Sequence, residues 1–144
     1  MNKIMSQKGS EANRTGAAHR SRIKALLIDC GFSIEENYKP EGYTDFAGCQ
    51  IMVSLYAWSD SFPHGIAFCP FYQGVSGTAY MKLPALWMKI SSHYPCPAVV
   101  VAEGQGLAYP SASAYIDWLK NCVDKKHLLG VFTYSELKRW LKTS

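Results

Sequence analysis

The sequence predicts an α/β fold, a three-layer α/β/α sandwich built around a mixed central sheet. Three observations predict it. Helical and extended patterns follow one another as helix, three strands, helix, strand, helix, strand, helix, a chain order that layers helices on a sheet. Val99-Val100-Val101 is a continuous β-branched run, the signature of a strand buried on both faces. The last strands are separated by helices, which implies parallel crossovers, whereas the three early ones are joined by short turns and read as an antiparallel meander. At 144 residues, 48% hydrophobic and 18% charged, the chain fits one globular domain.

Residues 1–16 are polar and Gly/Ser-containing and are expected to form a flexible basic arm, leaving 17–144 as the folded domain. From Ala17 to Cys30 a helix is predicted, with Ile23, Leu26, Leu27 and Cys30 on one face and Gly31 as its stop. Short extended segments follow, with turn chemistry at Pro40-Glu41-Gly42. Thr44 to Trp58 reads as one long strand with Ile51, Val53 and Leu55 on a common face, and Ser59 to Gly65 as a hairpin connection. Ile66 to Tyr72 is the next strand. Its Pro70 lacks an N–H and predicts an edge or a bulge. Gly74 and Gly77 punctuate a turn, after which Thr78 is placed to cap a helix to Ser91, and Pro84 predicts a kink or a late start. Pro97 to Glu103 is the β-branched strand, and Pro110-Ser111 open a helix whose Tyr115, Trp118, Leu119 and Cys122 form an apolar stripe. A short strand, Leu128 to Phe132, leads into Thr133-x-x-Glu136, a capping box that starts the last helix to Leu141.

Charge is uneven. Lys3, Lys8, Arg14, Arg20, Arg22 and Lys24 face only Glu11 within residues 1–24, whereas the rest of the chain carries nine basic and ten acidic side chains. Such a basic segment suits phosphate neutralisation, or serves simply as a solvated leader. The five cysteines stand singly with no C-x-x-C pair, which points to reduced thiols and against a disulfide or zinc framework. His19, His64, His93 and His127 share no metal-ligand spacing, and Gly104-Gln105-Gly106 lacks the third glycine of a dinucleotide fingerprint and reads as a turn. With no long apolar run and no apolar leader, the chain is expected to be cytoplasmic and off the membrane.

The run Gln73-Gly74-Val75-Ser76-Gly77-Thr78-Ala79 with Lys82-Leu83-Pro84 resembles small nuclease domains of the PD-(D/E)XK superfamily. The resemblance continues through Tyr94-Pro95, Pro97 to Val101, Gly104-x-Gly106, Trp118-Leu119-Lys120 and Leu128 to Phe132, and spans roughly residues 18–142. It implies a restriction-endonuclease-like αβββαβ core plus a C-terminal strand and helix. It also implies a site in which acids on the second and third strands bind Mg²⁺ and a nearby lysine assists. Counting back from Gln73 places Cys69 at the third-strand acid and Phe71 at the lysine, so both catalytic positions are degenerate. Asp45 is the weak candidate for the remaining metal ligand, and the first helix offers Ala18, His19 and Arg20 instead of a glutamate.

These readings lead to a catalytically inactive nuclease-like protein that keeps a binding role, with no cofactor expected. Its partner would be nucleic acid (DNA ahead of RNA), contacted by Arg14, Arg20, Arg22, Lys24, Gln73, Ser76 and Lys82, or else a protein. The resemblance associates such domains with phage, mobile-element or defence systems. Two alternatives stay open. One is an active Mg²⁺-dependent nuclease in which Glu41, Asp60 or Glu103 supplies the second carboxylate beside Asp45 and Lys82 the cation; the other is an interaction module or inhibitor that does not touch nucleic acid. Two residues have a plain structural alternative: Asp45 as a backbone-bonding turn residue and Gln73 as the fastener of the following turn.

Overall fold

The computed structural model describes the backbone of residues 2–144 and the side chains from Thr15 onward. Helix α1 (Asn2–Asp29) precedes strands β1 (Ser33–Tyr38), β2 (Val53–Trp58) and β3 (Ile66–Tyr72). A short 3-10 turn, Ala79–Lys82, leads into α2 (Leu83–Ser92). Then come β4 (Ala98–Glu103), a second 3-10 turn (Gln105–Ala108), α3 (Pro110–Lys120), β5 (Leu128–Phe132) and α4 (Tyr134–Lys142). The strands lie in the order β1-β2-β3-β4-β5. The first three form an antiparallel meander, and β3–β4 and β4–β5 are parallel.

Two apolar layers give the sandwich its thickness. Ile23 and Leu27 of α1 and Leu137 and Leu141 of α4 pack with Leu55, Phe68, Val99 and Val101 on one side of the sheet. On the other side, Leu83 and Ile90 of α2 and Leu119 of α3 pack with Ala67, Cys69, Val100 and Leu128. Alternation along β4 therefore serves both layers, as a strand buried on both faces must. The capping box of α4 is present in full: Thr133 Oγ1 accepts from Glu136 N–H at 3.2 Å and Glu136 Oε1 from Thr133 N–H at 2.9 Å.

Four expectations are corrected. Helix α1 begins at Asn2 rather than near Ala17. The long strand from Thr44 is interrupted: residues 44–50 close into a small loop through a Thr44–Gln50 bridge, Gly48 sits at φ +81°, and regular pairing begins only at Val53. Thr78 makes no side-chain cap, because a 3-10 turn intervenes and α2 starts late, with Pro84 in its first turn, where a missing N–H costs nothing. Pro70 is in a central strand, yet it disrupts no ladder. Ala67 and Gln73 donate toward the β4 side, so by alternation the N–H missing at Pro70 would face β2. The β2–β3 register ends at Leu55–Phe68, so that side of β3 is unpaired from Pro70 onward.

Among the described residues, no helix is long and apolar enough to cross a membrane.

Candidate functional site

Because β3, β4 and β5 are parallel, the chain leaves all three at one end of the sheet, the position where open α/β sheets place their ligands. Two clefts open there beside α1. One, of about 510 Å³, is lined by Thr15, Ala18, His19 and Arg22 of α1 together with Tyr72, Glu103, Gly104 and Gln105. The other, of about 450 Å³, runs from Thr15 and Tyr72 along the turn Gln73 to Ala79. They share Thr15 and Tyr72 and form a continuous surface under the helix.

The floor is an interlock between two motifs some thirty residues apart. Gln73 N–H donates to Glu103 O at 3.0 Å, and Gly106 N–H donates to Gln73 O at 2.9 Å. A Cβ at Gly104 would lie 2.1 Å from Gln73 O, and one at Gly106 would lie 2.1 Å from Val75 O. Gly104 also adopts φ +121°. A Cα without a Cβ is thus required at both sites for the two backbones to touch. Gly104-x-Gly106 is therefore a packing element of the cleft. The sequence held this signal in the shared presence of both glycine motifs, but spacing alone did not reveal that they meet. The buried Gln73 carboxamide completes the interlock. Its Nε2 donates to Val75 O and Gly77 O at 3.3 and 3.2 Å, and its Oε1 accepts from Tyr80 N–H at 3.1 Å. Of the two roles open to Gln73, the fastening one has its partners in place.

The side chains facing the clefts differ from those expected. Cys69 belongs to the core on the α2/α3 side, and Phe71 lines a separate pocket with Lys82, Leu83 and Lys89 on that same side. Alternation then turns Pro70 and Tyr72 toward α1, and the Tyr72 ring stands 5.9 Å from that of His19. The assignment of Cys69 and Phe71 to the site is thus one residue out of phase with the strand. Counting from Phe68, which packs against α1, would have placed Tyr72 in the cleft. Burial pushes the Cys69 thiol up to about 12, although its contact with Tyr94 Oη (4.0 Å) opposes this, so the group stays neutral.

The remaining chemistry of the cleft is modest. His19 is buried, and its Nε2 donates to Val101 O at 2.9 Å, which ties α1 to β4. Glu103 Oε1 accepts Tyr134 N–H at 2.7 Å, satisfying an otherwise free donor at the start of α4. The Arg22 guanidinium lies 4.1 Å from the centre of the Tyr134 ring, a cation–π contact that leaves its edges available to an anion. His19, Tyr72 and Tyr134 were not among the predicted contacts.

The other predicted residues divide clearly. Arg20 Nη2 donates to Asn37 Oδ1 (3.0 Å) and Ser54 O (3.1 Å) and lies 3.4 Å from Glu36, whose other oxygen meets Lys24 Nζ at 2.8 Å. Both cations therefore brace α1 against β1 and β2. The Lys24 hydrogen bond, opposed by desolvation and helped by the charges of Lys24 and Arg20, lowers the Glu36 carboxyl below its usual range. Ser76 is exposed in the second cleft, Lys82 is exposed on the α2 side, and the side chain of Arg14 lies outside the described residues. Asp45 Oδ1 accepts from Ala47 and Cys49 N–H at 2.9 and 3.0 Å and serves as the turn residue.

The three carboxylates offered as the second metal ligand stand at separate places. Glu103 lines the cleft, Glu41 is in the β1–β2 loop, and Asp60 is in the turn between β2 and β3, at the opposite end of the sheet. A divalent cation of the kind this chemistry uses requires several oxygen ligands. Among the described residues lining the two clefts Glu103 is the one carboxylate, and no three His, Cys, Asp or Glu side chains are grouped to hold a metal. The described residues lining the clefts do not fit Mg²⁺.

The mixed five-stranded sheet, its flanking helices and the cleft beside α1 define a nuclease-like α/β domain. The family model for the PD-(D/E)XK nuclease superfamily domain matches residues 11–143, and the chain belongs to that superfamily. Searches of curated proteins and of solved structures return no match.

Proposed function

We propose that this protein binds nucleic acid along the cleft beside α1 and does not cleave it. The observation that carries the reading is the set of side chains turned toward that cleft. Pro70 and Tyr72 occupy the α1-facing positions of β3, Ala18 and His19 the facing positions of α1, and Glu103 is the one described carboxylate, engaged with the start of α4. Phosphodiester cleavage in this superfamily depends on charge held at the scissile group. Losing one such group costs on the order of 10²–10³ in rate, so losing the set leaves no useful activity.

Support for binding comes from charge and shape. All six basic residues of the first 24 belong to α1; Arg20 and Lys24 are engaged by Glu36, and Arg22 lines the cleft of about 510 Å³. Exposed apolar rings, Phe46 and Tyr109, stand on loops at the same end of the sheet and offer faces to unstacked bases. DNA is the preferred partner in this reading, by kinship with the superfamily. Fluorescence anisotropy with labelled single-stranded and duplex oligonucleotides provides the test. Affinity is expected to fall steeply as salt rises from about 50 to about 200 mM. Absence of binding at the lower salt, or binding indifferent to salt, contradicts the proposal.

A further inference from the structure

We infer that the turn from Val75 to Thr78 is a phosphate-binding site, shaped from beneath by Gln73. The inference rests on the nucleic-acid reading and names the atoms that would receive a backbone phosphate.

The argument starts from the buried carboxamide. Gln73 is 5% exposed, and its Nε2 donates to the carbonyls of both Val75 and Gly77. A trans peptide is planar, with its C=O and N–H pointing in opposite directions. Holding the Val75 and Gly77 carbonyls inward therefore aims the N–H groups of Ser76 and Thr78 outward. Neither N–H has an acceptor among the described residues. The two hydroxyls are also available: both residues are exposed, and Thr78 makes no side-chain cap. Two amides and two hydroxyls are thus open on this turn, and both residues line the cleft of about 450 Å³.

The sign of that ligand follows from what surrounds it. No Asp or Glu is among the described residues lining this cleft, and the two carbonyls that would repel an anion are turned inward and hydrogen-bonded. Successive backbone N–H groups in a turn carry fixed partial positive charge and favour anions. Thr15, on the far wall, belongs to the basic helix. A phosphate oxygen matches this donor set, and a metal cation does not. The phosphate can belong to a nucleic-acid backbone or be free in solution, and the two sources are separable.

The experiment is amide-resolved NMR of the full chain, titrated separately with a short oligothymidylate and with inorganic phosphate. Oligonucleotide affinity is also measured for Ser76→Asp, an exposed substitution that places negative charge at the site. The expected result is that the oligonucleotide shifts the Ser76 and Thr78 amides and that Ser76→Asp weakens binding by about tenfold or more. If the oligonucleotide binds without moving those amides and Ser76→Asp binds equally well, the turn is not the phosphate site, while nucleic-acid binding stands. If inorganic phosphate moves them and no oligonucleotide binds, the anion site stands and the nucleic-acid reading fails. If neither ligand moves them and no binding occurs, both are overturned.

Discussion

Gly104→Ala is the substitution on which the geometry of the cleft floor makes its strongest demand. The residue holds φ +121°, a region that L side chains rarely adopt, and the strain of forcing alanine there is about 1–3 kcal/mol. The new Cβ would stand 2.1 Å from Gln73 O and 2.5 Å from its carbonyl carbon. Both are backbone atoms of a strand end that is itself held by Glu103 and Gly106, so relief requires moving β3 against β4. Overpacking of this kind adds about 1–3 kcal/mol. Together the effects predict a loss of several kcal/mol and a fall in Tm of roughly 10 °C for a chain of this size. Thermal unfolding followed by circular dichroism measures it, with Gly77→Ala as the control. A Cβ at Gly77 meets nothing within 4 Å and no positive φ applies, so that variant should melt with the wild type or slightly above it. A Gly104→Ala protein that melts within about one degree of the wild type refutes the interlock.

Two further outcomes follow from titratable groups. Burial raises the Asp124 carboxyl, but the N–H groups of Leu128, His127 and Lys126 and the His127 ring outweigh it and hold the group well below the usual carboxylate range. A carboxyl depressed on folding stabilises above its unfolded value, near 4, and loses that contribution as pH falls toward its folded value. Asp124→Asn should therefore flatten the acid side of the stability–pH curve below about pH 4, measured by urea unfolding; an unchanged curve contradicts the loop's role. Cys69 is buried with its thiol raised to about 12, whereas Cys30 and Cys49 are exposed. Mass-mapped alkylation of the native protein should modify Cys30 and Cys49 first and Cys69 only on unfolding; equal labelling of Cys69 would place it outside the core.

Much of the fold was legible because periodicity reports burial directly. The bounds of Ile66–Tyr72 and Leu128–Phe132 emerged from apolar runs, and Thr133-x-x-Glu136 marked a helix start through its own hydrogen bonds. What escaped was decided by contacts between distant segments. The long apolar stretch from Thr44 hid a loop, because Asp45 closes it through local hydrogen bonds that apolar periodicity does not register. Site residues were harder still, since alternation makes an offset of one exchange the two faces of a strand. Counting back from Gln73 selected Cys69 and Phe71, and counting outward from Phe68 would have selected Tyr72. The charge pattern of α1 was visible, but Glu36, which engages Arg20 and Lys24, comes from a strand whose pairing with the helix no local rule predicts.

A cleavage assay tests the account most directly. Purified protein is incubated with supercoiled plasmid and with single-stranded DNA, in Mg²⁺ or Mn²⁺. The account predicts no nicking above a protein-free control, and no difference between the wild type and Glu103→Gln. Metal-dependent cleavage that disappears in Glu103→Gln would contradict it, because a lone carboxylate at the end of β4 would then be gripping a cation that its neighbours, as described, have no means to hold.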